Sequence, residues 1–325
     1  MANPDALRAA NESAGSVDRT ARVRLRIEGP DRAKFLHNLT TNDVKRLAPG
    51  SGQETFVTSP QGKTLAYATL LALDDAILLR TDPGSLEALL PHLRKYGIFD
   101  DVAIEDVSAN TIEIHLAGSG VDATWAALGL EAVGQTPLAH RAVTIGGSEV
   151  RAVRESPTGR PGLTLIGPAE ALVSVRDRVA EVVPTEIDAA TFEALRIEAG
   201  TPISGVDVLA SHLPQEVGRD ALAINFVKGC YLGQETVARL DALGHVNKIL
   251  VGVRIEAGLV PPAGTSLLSD GKAVGTITSA AGSPDRGGSV ALAYVRVAQA
   301  MAGTRLQVGE GGGEATVVPL PMREG

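Results

Sequence analysis

The chain has 325 residues, 44% hydrophobic and 21% charged, enough to bury more than one core. A formal net charge of −8 and an aromatic content of 3% exclude a generic electrostatic grip on nucleic acid and base-stacking platforms. A single cysteine, Cys230, excludes an internal disulfide or a cysteine metal cage, and a soluble, reducing, cytoplasmic setting is expected.

The first residues carry no apolar run of the secretory type, and no stretch reaches the roughly 18 apolar residues of a membrane span. A strand–turn–helix unit is then predicted four times. The first is a strand from Val23 to Ile27, a turn at Glu28-Gly29-Pro30-Asp31 and a helix to Leu39. A β meander follows, with Ser59-Pro60-Gln61-Gly62 as a type I turn. The second unit is Ala76 to Arg80, a turn through Ser85 and a helix to Tyr96, where Leu86, Leu89, Leu90 and Leu93 share one face. The third runs from Thr111 through Gly118-Ser119-Gly120 to Leu128, and the fourth from Leu163 through Gly167-Pro168 to Val182.

A further helix is predicted from Ala189 to Ala199, with Asp188 as N-cap and Gly200 as its stop. Thr201 to Val227 reads as irregular, and another helix spans Gln234 to Leu243. After Asn247 come six short strands with Gly, Pro and Asp between them, including the hairpin signal Asp270-Gly271. The fold class expected is α+β: duplicated ferredoxin-like α/β modules over 1–245, as two intertwined subdomains, then a small C-terminal antiparallel β-barrel over 246–325.

Several motifs fail on context. Gln61-Gly62-Lys63-Thr64 imitates a P-loop end, but Val57 stands where that loop needs glycine, and strand follows. Gly118-Ser119-Gly120 lacks the acidic partner of a dinucleotide site. The six histidines have no ligand spacing, so no metal is expected, and no Gly-x-Ser-x-Gly elbow occurs.

Lys228-Gly229-Cys230-Tyr231-Leu232-Gly233-Gln234-Glu235 is the informative stretch. Lys228 and the N-terminus of the following helix can stabilise a thiolate at Cys230, and the glycines permit close backbone approach. A structural cysteine in a glycine-bracketed turn is the other reading, and the residues alone leave both open. In Leu195-Arg196-Ile197-Glu198-Ala199-Gly200, helical geometry turns Arg196 and Glu198 about 200° apart, so they cannot share a face.

The first of these stretches resembles the KGCYxGQE motif of YgfZ-type folate-binding proteins, and Arg196-x-Glu198-x-Gly200 resembles an element of glycine-cleavage T-proteins. Phe35-Leu36-x-x-Leu39-Thr40-Thr41-Asn42-Asp43-Val44, Pro214-Gln215-Glu216, Gly275 to Ser279 with Ser283-Pro284, and Ala291 to Val295 are similar to further parts of that family. The resemblance implies domains arranged around a central pocket for tetrahydrofolate or a one-carbon derivative. It implies Glu198 as a pterin contact and Arg196, Lys228, Gln234, Glu235 and Asn42 near the ligand, with Cys230 as reactive thiol. It further implies an accessory role in iron–sulfur cluster assembly or repair, and indirectly in tRNA modification. The partners implied are assembly proteins or client enzymes, without direct nucleic-acid or membrane contact. The alternatives are a folate-dependent aminomethyl or methyl transferase and a non-catalytic scaffold without folate binding. The Asn-Ala motif of transferring T-proteins is absent from Leu79 to Ser85, which weakens the transferase reading.

Overall fold

The computed structural model describes residues 2–244, 246–256, 260–283 and 287–322; His245 at the expected domain boundary and Pro284 in the barrel motif lie outside them. Helix α1 (Pro4–Glu12) opens where the Asn3 side chain accepts from Asp5 N and Pro4 occupies the first turn. Strand β1 (Gly15–Asp18) passes through the turn Arg19–Arg22 into β2 (Val23–Glu28) and α2 (Arg32–Leu39). The meander β3 (Gly52–Thr58), β4 (Thr64–Ala72) and β5 (Ala76–Thr81) follows, then α3 (Leu86–Tyr96) and β6 (Ala103–Asp106).

The second module contains β7 (Thr111–Ala117), α4 (Val121–Ala127), β8 (His140–Ile145), β9 (Ser148–Arg154), β10 (Gly162–Pro168) and α5 (Leu172–Ala180). Two five-stranded antiparallel sheets result, ordered β3-β4-β5-β2-β6 and β1-β7-β10-β9-β8. The first strand in the chain therefore belongs to the second sheet. Each sheet lays one face on its own helices. Leu25, Ile27, Leu70 and Leu79 pack on Phe35, Leu36, Leu89 and Leu93. Ile112, Ile114 and Leu116 pack with Trp125, Val175 and Val179. Each such side chain, fully buried, stabilises the fold by about 1.5–3 kcal/mol.

The opposite faces of the two sheets meet each other. At one end the contact is apolar, through Leu71, Leu78, Leu138, Val153 and Ile166. At the other it is ionic. Arg24 and Arg80, directly opposed across β2 and β5, meet Glu113 on β7 and Glu155 just after β9. Without those carboxylates the opposed arginines would repel.

Helix α6 (Ala189–Ala199) starts at Asp188, whose side chain accepts from Thr191 N, and stops at Gly200 with φ of 72°. Short α7 (Asp220–Ala223) and α8 (Gln234–Leu243) follow. The barrel closes from β11 (Lys248–Ile255), β12 (Ser266–Ser269), β13 (Lys272–Ser283), β14 (Gly288–Arg296), β15 (Arg305–Val308) and β16 (Glu314–Val318). Asp270 and Gly271 both have positive φ, as the hairpin signal requires. Strand β13 runs beyond the expected Thr278 because the register shifts between Ile277 and Ser279 and pairing then resumes with β14.

Candidate functional site

A cavity of about 610 Å³ lies where the ionic ends of the two sheets meet α6 and the loops beside it. Its walls include Arg19 and Arg22 from the β1–β2 turn, Asp82 at the end of β5, Tyr67 of β4, and Phe192 of α6. A volume in the range of roughly 300–1,000 Å³ suits a small-molecule ligand.

Asp82 is held from two directions. One carboxylate oxygen accepts from Ser204 N at 3.1 Å; the other faces Arg22 Nε at 3.3 Å and Arg19 Nη2 at 3.6 Å. Behind it, Arg80 donates to Glu113 at 3.2 and 2.8 Å and to Glu155 at 3.0 and 2.8 Å. Burial opposes charge on Glu113, yet Arg80 and Arg22 bring its carboxyl down to about 2. Burial likewise opposes charge on Glu155, and Arg80 holds that carboxyl well below the usual range. The Thr164 hydroxyl donates to Glu155, so it accepts from His115 Nδ1, 2.8 Å away. His115 thereby carries its proton on Nδ1, and because burial pushes the ring down to about 4 and leaves Nε2 without a partner, it is the neutral Nδ1–H tautomer.

The facing wall is a second closed unit. Arg219 Nη2 donates to both oxygens of Glu54 at 2.9 and 3.1 Å, and its Nε donates to the Tyr67 hydroxyl at 3.0 Å. The Tyr67 hydroxyl in turn donates to Glu54. Burial raises this phenol far above its ordinary range, so it remains protonated.

Of the residues singled out by sequence, Arg196 lines the cavity, and its guanidinium is held by Glu193, Asp207 and Ser279. Glu198 does not border the cavity. It lies on the other side of α6, where Ser283 Oγ donates to it at 2.6 Å, in keeping with the periodicity argument.

The remaining residues gather at a separate place. Lys228 Nζ donates to the carbonyls of His37, Thr40 and Asn42 at 2.6, 2.6 and 2.9 Å, closing the end of α2. Burial, reinforced by Lys45 and opposed by Asp43, pushes this amine down to about 7. Three acceptors need three N–H groups, which only the charged form supplies. The Asn42 side chain donates to the carbonyls of Glu54 and Leu222. Cys230 is exposed, and Gln234 and Glu235 open α8 at the surface. None of these five residues borders the cavity. The close approach expected at Gly233 is to protein: a Cβ there would stand 2.4 Å from Ser59 O, and φ is 82°.

Sequence reasoning passed over Arg19, Arg22, Glu54, Tyr67, Glu155 and Arg219. The available signal was the density of arginine from Arg19 to Arg26, too many basic groups for one short strand with a solvated face. Among the described residues, no group of three His, Cys, Asp or Glu side chains is arranged to hold a metal ion.

Comparison with known proteins accounts for nearly the whole chain. Residues 4–226 match the GCVT N-terminal domain and residues 248–323 match the glycine cleavage T-protein C-terminal barrel domain. A putative chloroplastic transferase of Arabidopsis thaliana is 30% identical, over 98% of this chain and 74% of that one. A probable aminomethyltransferase of Natronomonas pharaonis is 28% identical, over 97% and 89%. A mitochondrial iron–sulfur cluster assembly factor homolog of Aspergillus fumigatus is 26% identical, over 77% of this chain and 60% of that one. The crystal structure of the glycine cleavage system aminomethyltransferase T from Bartonella henselae superposes with a TM-score of 0.88 at 20% identity, covering 98% and 89%, a likeness of fold. By both its N-terminal modules and its closing barrel, the chain belongs to the glycine-cleavage T-protein family.

Proposed function

We propose that the protein binds tetrahydrofolate or a one-carbon derivative in the central cavity and acts as an accessory factor in iron–sulfur cluster assembly or repair. The observation that carries the ligand half is the cavity itself. It combines aromatic walls at Tyr67 and Phe192 with charged donors and acceptors, as a flat heterocycle bearing polar edges needs. The accessory half is supported by the cysteine motif around Cys230, by the exposure of that thiol, and by the relative named as an assembly factor. One thiol cannot hold a cluster by itself, so any cluster would be shared with a partner assembly protein or client enzyme.

The transferase alternative draws support from the relatives named aminomethyltransferase. It needs a carboxylate free to handle a proton at the reacting nitrogen. Asp82, Glu155 and Glu54 are each already committed to arginine, which favours the accessory reading.

Calorimetric titration of tetrahydrofolate into the whole protein is the test, with Phe192→Ala removing one aromatic wall. Saturable binding weakened by that change is expected. Absence of binding by the wild type removes both folate roles. In cells, Cys230→Ala is expected to lower the activity of iron–sulfur enzymes at unchanged protein level, and unchanged activities would remove the accessory role.

A further inference from the structure

The charge at the ionic end of the cavity does not cancel. Four guanidinium groups, Arg19, Arg22, Arg24 and Arg80, share three carboxylates, Asp82, Glu113 and Glu155, leaving 4 − 3 = 1 positive charge in excess. His115 is neutral: its Nε2 is buried without a partner, and burial pushes the ring down to about 4. The neighbouring pairs Arg154–Asp122 and Arg219–Glu54 balance themselves, and Arg196 on α6 is taken up by its own two carboxylates, Glu193 and Asp207, neither of which pairs with Arg19 or Arg22, so the excess is local to the cluster around those two arginines.

The excess falls on the two arginines at the cavity wall. Among the described residues, the Arg19 guanidinium has no hydrogen bond; it stands 3.6 Å from Asp82 and lies over the Phe192 ring at 4.5 Å. Its side chain is only 12% exposed. Arg22 Nε is buried without a hydrogen-bond partner despite its ion pair with Asp82. Burial, together with Arg22, lowers Arg19 from 12.5 to about 10, as expected of a cation short of counter-charge. Desolvated donors of this kind are costly unless an anion meets them, and an arginine fork fits a planar or tetrahedral oxyanion.

We propose that Arg19 and Arg22 form an anion subsite within the cavity, which takes a carboxylate or phosphate group carried by the ligand, with the adjoining part of the ligand against Phe192. This rests on the reading of the cavity as a ligand site and adds the chemistry its ligand must bear. A folate offers the carboxylates of its glutamate tail; a phosphorylated ligand would offer the same oxygens.

The test is calorimetry on the whole protein at fixed ionic strength with three probes: tetrahydrofolate, tetrahydropteroamide (which ends in a neutral amide and carries no carboxylate), and inorganic phosphate. Wild type, Arg19→Gln and Asp82→Asn are compared, with thermal midpoints recorded to confirm folding. Arg19→Gln is expected to weaken the anionic probe by about tenfold or more, the loss of a charge-assisted hydrogen bond. Asp82→Asn leaves 4 − 2 = 2 excess charges and is expected to tighten it. Those opposite directions separate an anion subsite from a merely structural role. Weaker binding of tetrahydropteroamide than of tetrahydrofolate assigns the subsite to the glutamate carboxylates. Equal binding of those two, with phosphate bound in an Arg19-dependent way, assigns it to phosphate. Phosphate binding that depends on Arg19 while tetrahydrofolate fails to bind would retain the subsite and discard the folate reading. Tetrahydrofolate bound alike by both variants and by the wild type would retain the folate reading and overturn the subsite. Binding by none of the probes, or changes in the same direction for both variants, overturns it as well.

Discussion

Arg196 Nη1 lies 2.7 Å from Asp207 Oδ2, with both side chains buried. The same aspartate accepts from Ile203 N, Thr278 Oγ1 and Ser279 Oγ, so one carboxylate ties α6, the loop after it and the barrel strand β13. Removing it leaves the buried guanidinium to Glu193 alone and strands Ile203 N and the two barrel hydroxyls. Asp207→Ala is expected to cost about 3–5 kcal/mol in denaturant unfolding, part of it recovered in Asp207→Ala/Arg196→Met. A loss below about 1 kcal/mol would show the pair to be dispensable.

Lys228 fixes the loop that presents Cys230. Lys228→Met strands three buried carbonyls and is expected to lower stability by about 1–3 kcal/mol per the cost of unsatisfied polar groups. Lys228→Arg is expected to rescue poorly, because a planar fork cannot point three donors at three convergent carbonyls. Hydrogen exchange of the 226–233 backbone should quicken in both variants. Unchanged exchange would mean that the glycine contacts alone hold the loop.

Stability should depend on pH through buried histidines. His115, His140 and His212 are each pushed from 6.5 down to about 4, chiefly by burial. Between those values the unfolded chain binds more protons than the folded one, so stability rises with pH through that window and is lost as pH falls. Asp220, raised from 3.8 to about 6 by burial and Asp241, acts oppositely: the folded chain binds the extra proton, and this offsets one histidine. These four groups together contribute a slope near pH 5 of about 3 − 1 = 2 protons, and His37 and His92, also lowered by burial, add to it in the same direction. His115→Gln should remove up to about 1.4 kcal/mol per pH unit from that slope. Chemical unfolding at several pH values would read it, and an unchanged slope would mean His115 titrates normally.

Cys230 is exposed and makes no packing contribution to a core. Cys230→Ser is expected to leave stability within about 0.5 kcal/mol. An alkylating reagent should modify the native protein at one site per chain. A thiol protected until unfolding would contradict this.

Local signals in the sequence reached far into the fold. Asp188 and Gly200 bracket α6, and the apolar stripe of Leu89 and Leu93 buries α3. At the other extreme, Asn3-Pro4-Asp5 is a helix-start signal that went unread, and α1 follows it. The site was harder. Arg24 alternates with Val23 and Leu25, so by period alone it belongs to a solvated face, yet it is fully buried. What reverses it is Glu113 arriving from the other sheet, some 90 residues on, and no local pattern encodes a partner at that distance. The cysteine motif, by contrast, was legible as chemistry but not as position. Its lysine and thiol stand at the end of α2, away from the cavity.

The placement of β1 bears on how the chain is made. Gly15 pairs with Ala117, roughly 100 residues later, while the whole first sheet lies between them. At a synthesis rate of about 5–20 residues per second, the first strand waits roughly 5–20 s for its neighbour to leave the ribosome. During that interval the first module can close on its own helices, but the Arg19–Arg22 turn has nothing to hold one of its ends. The charged pocket is thus completed late in biogenesis, only once β7 has emerged to hold β1 and the second sheet forms.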